Sequence, residues 1–330
     1  MQTCSMSLID SISYYLPEEC IDISSLEGSR KDWNISATIQ KTGVKKIWRS
    51  APDQTTVDLA EKSAEPLIAD LTPEEQPDAL IFCTQTPDFQ LPHCAAILQE
   101  RLSLSTHTLT FDINLGCSGY VYGLGVAYGL LKASLCKKVL LVTAESYSKI
   151  INQNDKKTSL LFSDAASASL MVDSTNPVFT FGTDGSRHEN IIFPHSGIDR
   201  AKNNKEHFAC EANDNGCFEM DGSGVYMFTM GTIAEEITAF IKKSNMSIDD
   251  IDHFIFHQGS FIVLDSLHRK LKIPSEKMII DLEEVGNAAS SSIPITLKRA
   301  EECGRIQRGD RLCLFGFGIG LSWAGSILNY

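Results

Sequence analysis

The sequence predicts an α/β protein made of two related halves, on three observations. Short β-branched apolar runs alternate with helical patterns along the whole chain. The order of these runs in the first half recurs in the second. In each half a glycine followed by a polar residue, Gly116-Cys117 and Gly286-Asn287, separates a strand-like run from a small-residue helical one.

Taken in order, "DALIFCTQT" (78–86) reads as a buried strand and "LPHCAAILQERLSL" (91–104) as the helix after it, with Pro92 in the first turn. "HTLTFDINL" is the next strand, followed by a glycine-rich helix from about Cys117 to Ala133 and the strand "KKVLLVTAES" (137–146). Residues 183–216, rich in Gly, Asp, Asn, His and Lys, read as long loops, and a helical pattern runs from Ser223 to Asn245. Then the first half repeats. "IDHFIFHQGS" (251–260) matches the first strand, each ending in a polar tip that holds a glutamine, Gln85 or Gln258. "FIVLDSLHRKLKI" is the matching helix, and "KMIIDLEEVGNAASSSIPITLKRA" repeats the strand, the glycine-polar pair and the small-residue helix. "RLCLFGFGIGLSWAGSIL" closes the chain as a hairpin of strands. The boundary falls near 173–178, dividing the chain into 1–175 and 176–330.

Composition bounds the function. A chain of 330 residues with 43% hydrophobic content has the material for a large buried core. A formal net charge of -13 leaves no basic face for phosphate, which argues against a nucleic-acid partner. No apolar run approaches the roughly 18 to 20 residues that span a bilayer, and the start carries no basic segment leading into an apolar one. Ten cysteines lie scattered with no C-x-x-C pair, so neither a metal site nor a disulfide framework is expected, and the chain reads as reduced and cytoplasmic.

Most of those cysteines read as core filler. Cys117 has a second reading. A polar residue between a strand and a helix sits where backbone N–H groups and the positive end of the helix dipole converge, which favours a thiolate. His257 in "FIFHQGS" stands at a strand tip, where open α/β sheets form crevices, although a lone histidine there is commonly structural. Asn287 opens a helix, where capping by its amide is the plain explanation. Together the three allow acyl transfer through a thioester, and the glycine-rich "FGFGIGL" (315–321) offers free N–H groups to an oxyanion.

"DINLGCSGYVYGL", "FHQGSFIVLDSL", "VGNAASSSIPITL" and "FGFGIGLSWAGSIL" resemble four signature blocks of the β-ketoacyl-ACP synthase III family. Further similarity lies in "YYLPEECIDISSL", "KTGVKKIW", "DKKTSLLFSDAASASL" and "FEMDGSGVYMF", in the family's order and over nearly the whole chain. The resemblance implies a thiolase fold of five layers, α-β-α-β-α, with two pseudo-equivalent halves, usually as a homodimer. It implies that Cys117 takes an acyl group from a CoA or acyl-carrier-protein thioester, with no separate cofactor and no metal. His257 and Asn287 would then stabilise the enolate formed from a malonyl thioester as CO₂ leaves, and the oxyanion would sit on the backbone N–H groups of Cys117 and Ile319. Leu91, Lys156, Phe162, Met220, Ser223, Ser260 and Phe317 are expected along the substrate path.

The entrance departs from the family pattern. Ala37 stands where a stacking tryptophan is usual, with Trp33 nearby, and Lys156 replaces an arginine. Ser260 and Ile262 replace an asparagine and an arginine, and Ile319 replaces a glycine. A specialised condensing enzyme is therefore expected as readily as one that starts fatty acids. The alternatives are an acyltransferase of the same fold acting on an amine or hydroxyl, and a non-catalytic partner of a sister enzyme.

Overall fold

The computed structural model describes residues 7–28, 32–174, 177–194 and 218–330. Its first part contains β1 (Ile9–Tyr15), β2 (Glu19–Asp22), α1 (Ile35–Thr42), β3 (Lys46–Arg49), α2 (Thr56–Ile68) and β4 (Ala79–Cys83). It continues through α3 (Cys94–Arg101), β5 (Leu109–Ile113), α4 (Gly119–Lys132), β6 (Lys138–Glu145) and β7 (Ala165–Val172). The second contains β8 (Val178–Thr183), β9 (Ile191–Ile192), β10 (Glu219–Met220), α5 (Gly222–Phe228), α6 (Ala234–Lys243) and β11 (His253–Phe256). It ends with α7 (Phe261–Leu271), β12 (Met278–Ile279), α8 (Ser292–Glu302), β13 (Arg311–Gly318) and β14 (Ser322–Asn329).

Two five-stranded sheets share one topology. The first runs β1-β7-β6-β4-β5, and the second β8-β14-β13-β11-β12. In the first, β4 pairs in parallel with β5 and β6, while β6–β7 and β7–β1 are antiparallel. In the second, β11 pairs in parallel with β12 and β13, while β13–β14 and β14–β8 are antiparallel. Strand for strand the halves match, so the repeat read from the sequence is a repeat of structure.

The strand pattern explains the layering. Successive side chains on a strand face opposite ways, so a strand buried on both faces is apolar throughout. In β4, Ala79 and Ile81 join a central core while Leu80 and Phe82 face an outer one. In β11, Ile255 faces the central core and Phe254 and Phe256 the other outer one. The central core is filled by α4 (Tyr120, Val121, Leu124, Ala127) and α8 (Ile293, Leu297), packed between the sheets. Helices α2 and α3 cover the outer face of the first sheet, and α6 and α7 that of the second. This gives five layers, α-β-α-β-α.

Some boundaries differ from the sequence expectation. The helix placed at 91–104 begins at Cys94, with Pro92 outside it. Its first N–H groups are taken by a carboxylate from elsewhere in the chain: Asp112 on β5 accepts from Cys94 N–H at 2.6 Å and Ala95 N–H at 2.8 Å. The pattern from Ser223 to Asn245 is two helices joined by a π-helical turn, Thr229–Ile233. Of the loop region 183–216, residues 195–216 lie outside the described residues.

Leu124 is fully buried between the two sheets. Leu124→Ala should destabilise the protein by about 3 kcal/mol, read as a lower urea midpoint, because a cavity between two sheets closes poorly.

Candidate active site

Four chain segments meet at the centre of the molecule: the turn before α4, the tip after β11, the turn before α8 and the β13–β14 hairpin. Cys117 ends the turn after β5, just ahead of α4, whose N-cap is Ser118. Glycines let β13 lie directly on this turn. A Cβ at Gly318 would stand 2.8 Å from Cys117 Cβ and 2.9 Å from Sγ, and one at Gly316 would meet the Cys117 carbonyl oxygen at 2.6 Å. Ser118 Oγ and Ser322 Oγ, 2.8 Å apart, join the turn to β14.

His257 follows β11 and is buried. Its N–H donates to Phe315 O at 2.9 Å, and its ring lies 6.0 Å from that of Phe317, edge to face. Ser292 Oγ accepts from Gln258 N–H at 3.4 Å and lies 2.8 Å from His257 Nδ1. With the Ser292 hydroxyl donating to Nδ1, the ring proton is on Nε2. Burial pushes the imidazole down to about 3, so it is a neutral donor at neutral pH.

Asn287 sits on the turn before α8. Gly286 makes the bend: its φ is +71° and a Cβ there would meet Ser163 Oγ at 2.7 Å. Asn287 N–H donates to Leu161 O at 2.9 Å, and Ser163 N–H donates to Asn287 O at 2.9 Å, which ties this turn to the first half beside Phe162. Asn287 Oδ1 accepts from Ala289 N–H at 2.9 Å, and Nδ2 reaches Gly259 O at 3.5 Å. Gly259 N–H donates in turn to His257 O at 2.9 Å. The amide orientation is therefore set, with its donor end on the His257 side.

The thiol corrects one expectation. Burial pushes Cys117 up to about 12, against the pull of the Ile319 and Cys117 N–H groups beside the sulfur. The helix-start position alone does not yield a free thiolate, because desolvation outweighs two amide donors. The same two N–H groups are those expected to hold an oxyanion.

The remaining candidates divide into an inner and an outer set. Phe317 and Phe162 are buried, Phe317 against His257 and Phe162 stacked on Tyr147 at 4.9 Å with Phe218 edge-on at 5.4 Å. Met220 is half-buried on β10 against the core that holds these rings. Ser223 is exposed in the first turn of α5, and its N–H is taken by Asp221. Ser260 is the half-buried N-cap of α7, without a capping bond from its side chain. Lys156 Nζ donates to Asp32 O at 2.7 Å, beside Trp33. Leu91 is 86% exposed.

Sequence reasoning passed over Ser292 and Tyr147, and also Glu145 at the end of β6. Ser292 lay in plain view in "ASSS", but only the fold turns it toward His257.

A buried thiol and an amide at equivalent places in two duplicated halves, with a neutral histidine beside them, are the arrangement of a thiolase-fold condensing enzyme. Residues 111–185 match the profile of 3-oxoacyl-[acyl-carrier-protein] synthase III, and 241–330 that of its C-terminal region. The chain is 31% identical to the β-ketoacyl-[acyl-carrier-protein] synthase III 2 of Halalkalibacterium halodurans, over 99% of this chain and 97% of that one. It is 32% identical to the corresponding synthase III of Clostridioides difficile, over 97% of each. A solved 3-oxoacyl-(acyl-carrier-protein) synthase III superposes with a TM-score of 0.90 at 36% identity, covering 98% of this chain and 99% of that one. The Thermus thermophilus enzyme superposes at 0.87 with 31% identity, covering 98% and 99%. This chain belongs to the β-ketoacyl-[acyl-carrier-protein] synthase III family.

Two measurements test this geometry. Gly318→Ala should fold, by circular dichroism, yet slow iodoacetamide alkylation of Cys117 at least about tenfold, since the new methyl occupies the approach to sulfur. Nitrogen NMR of histidine-labelled protein should show His257 as the Nε2–H tautomer, with no titration between about pH 5 and pH 8.

Proposed function

We propose that Cys117 carries the acyl group in a two-stage condensation and that His257 and Asn287 activate the second substrate. The observation that carries this reading is the unbroken line of contacts from Cys117 through Gly318, Phe317, His257 and Gly259 to Asn287. In the first stage the Cys117 sulfur attacks the carbonyl of an acyl-CoA or acyl-carrier-protein thioester. The oxyanion that forms is met by the N–H groups of Cys117 and Ile319, and the donor's thiol leaves with the proton that Cys117 gives up.

In the second stage a malonyl thioester loses CO₂. Its thioester oxygen takes on negative charge, and His257 Nε2–H and Asn287 Nδ2–H both donate to it. Neutral donors suit this step, since they stabilise an enolate without protonating its carbon. That carbon attacks the acyl carbonyl, the new carbon–carbon bond forms, and the bond to sulfur breaks. The Cys117 thiolate that leaves takes up a proton, and burial favours that uptake.

Phe162, Met220, Ser223, Ser260, Phe317 and Lys156 are proposed to line the path from the surface to Cys117. The proposal includes a cytoplasmic homodimer, the halves of each chain meeting near 173–178, in which the exposed Leu91 is buried against the partner.

The test is stepwise. Intact mass spectrometry after mixing with acyl-CoA should show an adduct on the wild-type protein and none on Cys117→Ala. Asn287→Asp should still acquire the adduct but release CO₂ from a malonyl thioester at least about a hundredfold more slowly, because a carboxylate repels the enolate. An adduct with no CO₂ release by the wild type would favour transfer to an amine or hydroxyl instead.

A further inference from the structure

Glu145, the last residue of β6, is fully buried, and the steps above do not use it. Its carboxyl collects donors from both halves of the chain. Oε1 accepts from Ser290 Oγ–H at 2.9 Å. Oε2 accepts from Thr86 Oγ1–H at 3.0 Å and from Gln85 N–H at 3.1 Å, with Thr84 Oγ1 at 3.5 Å. Burying a carboxyl is costly even with such partners, and an apolar residue could fill the space.

Each set of donors leads to one side of the active site. Gln85 lies under the nucleophile: its Oε1 accepts from Tyr147 O–H at 3.1 Å and would stand 2.2 Å from a Cβ placed on Gly116, the residue before Cys117. Ser290 lies three residues beyond Asn287, next to Ala289, whose N–H orients the Asn287 amide. Neighbouring hydroxyls strengthen the second attachment, with Ser291 Oγ 2.8 Å from Thr143 Oγ1 on β6.

We propose that Glu145 is a positioning residue that holds the floor beneath Cys117 and the turn carrying Asn287 at a fixed separation across the two halves. This rests on the condensing role given above.

Among the described residues, the titratable groups facing Glu145 are Cys83 at the end of β4, Cys117 ahead of α4 and Tyr147 just after β6, and a negative charge on Glu145 raises all three. The 287–291 turn contributes only amide, methyl and hydroxyl groups. Burial lifts the Glu145 carboxyl to about 8, against the pull of its donors. Below that value the carboxyl is protonated and one of its neighbouring hydroxyls, on Ser290, Thr86 or Thr84, accepts its hydrogen instead of donating; it gains its charge as pH rises through about 8, when that charge opposes the oxyanion and the enolate.

The test compares wild type, Ser290→Ala and Glu145→Gln in three assays: acylation of Cys117, CO₂ release from a malonyl thioester, and iodoacetamide alkylation of Cys117. Ser290→Ala frees only the Asn287 side, so acylation should stay within about twofold while CO₂ release falls about tenfold, the scale of a small misplacement. Glu145→Gln keeps the shape, so CO₂ release at pH 7 should stay near that of wild type and its decline above about pH 8 should disappear. Alkylation of Cys117 by the same variant should be several-fold faster near pH 9, because the charge that raises the thiol is gone. An equal fall of both half-reactions in Ser290→Ala, or an unchanged alkylation rate in Glu145→Gln, overturns the proposal. Alkylation needs no substrate, so it decides the coupling even if the wild type releases no CO₂, an outcome that counts against the condensing role instead.

Discussion

The contact between β13 and the Cys117 turn is the one on which the rest of the structure depends. Gly316 and Gly318 present only hydrogens to Cys117, so a strand of the second half lies directly against this turn of the first. That approach brings the Ile319 N–H to the sulfur and sets Phe317 against His257. It is possible because α4 and α8 are packed back to back with both sheets, which turns the carboxyl ends of the parallel strands toward one another. A methyl at either glycine would crowd the Cys117 turn, at Cβ and Sγ from position 318 or at the carbonyl oxygen from position 316.

Burial has a second consequence. In a site withdrawn from water, neutral forms are favoured, and both Cys117 and His257 are held neutral by desolvation. On the proposed mechanism charge appears in this site only during reaction. The donors it assigns to the oxyanion and the enolate are held in place beforehand and would need no reorganisation. The long-range supports follow the same logic: Ser292 holds His257 Nδ1, Ala289 orients Asn287, and the Glu145 carboxyl joins both sides.

The legible part of this design is what repeats or punctuates. "DALIFCTQT" and "IDHFIFHQGS" were readable as equivalent strands because strands buried on both faces are unbroken apolar runs. The glycine-polar pairs at 116–117 and 286–287 were readable because a glycine at the edge of such a run marks a turn. The start of α3 was not, since Asp112, distant in sequence, caps it. Nor was the state of the Cys117 thiol, since local position argued for a thiolate and the depth of burial argued more strongly against it.

By itself the sequence determined the two-half α/β plan and the candidates Cys117, His257 and Asn287, because periodicity and turn residues are local properties of a chain. Only the tertiary structure decided how the groups are placed: which N–H groups face the sulfur, which hydroxyl meets the histidine ring, and that Glu145 reaches across to Ser290. Those facts arise from residues far apart in the chain packed to within hydrogen-bond distance, and no local pattern carries that information.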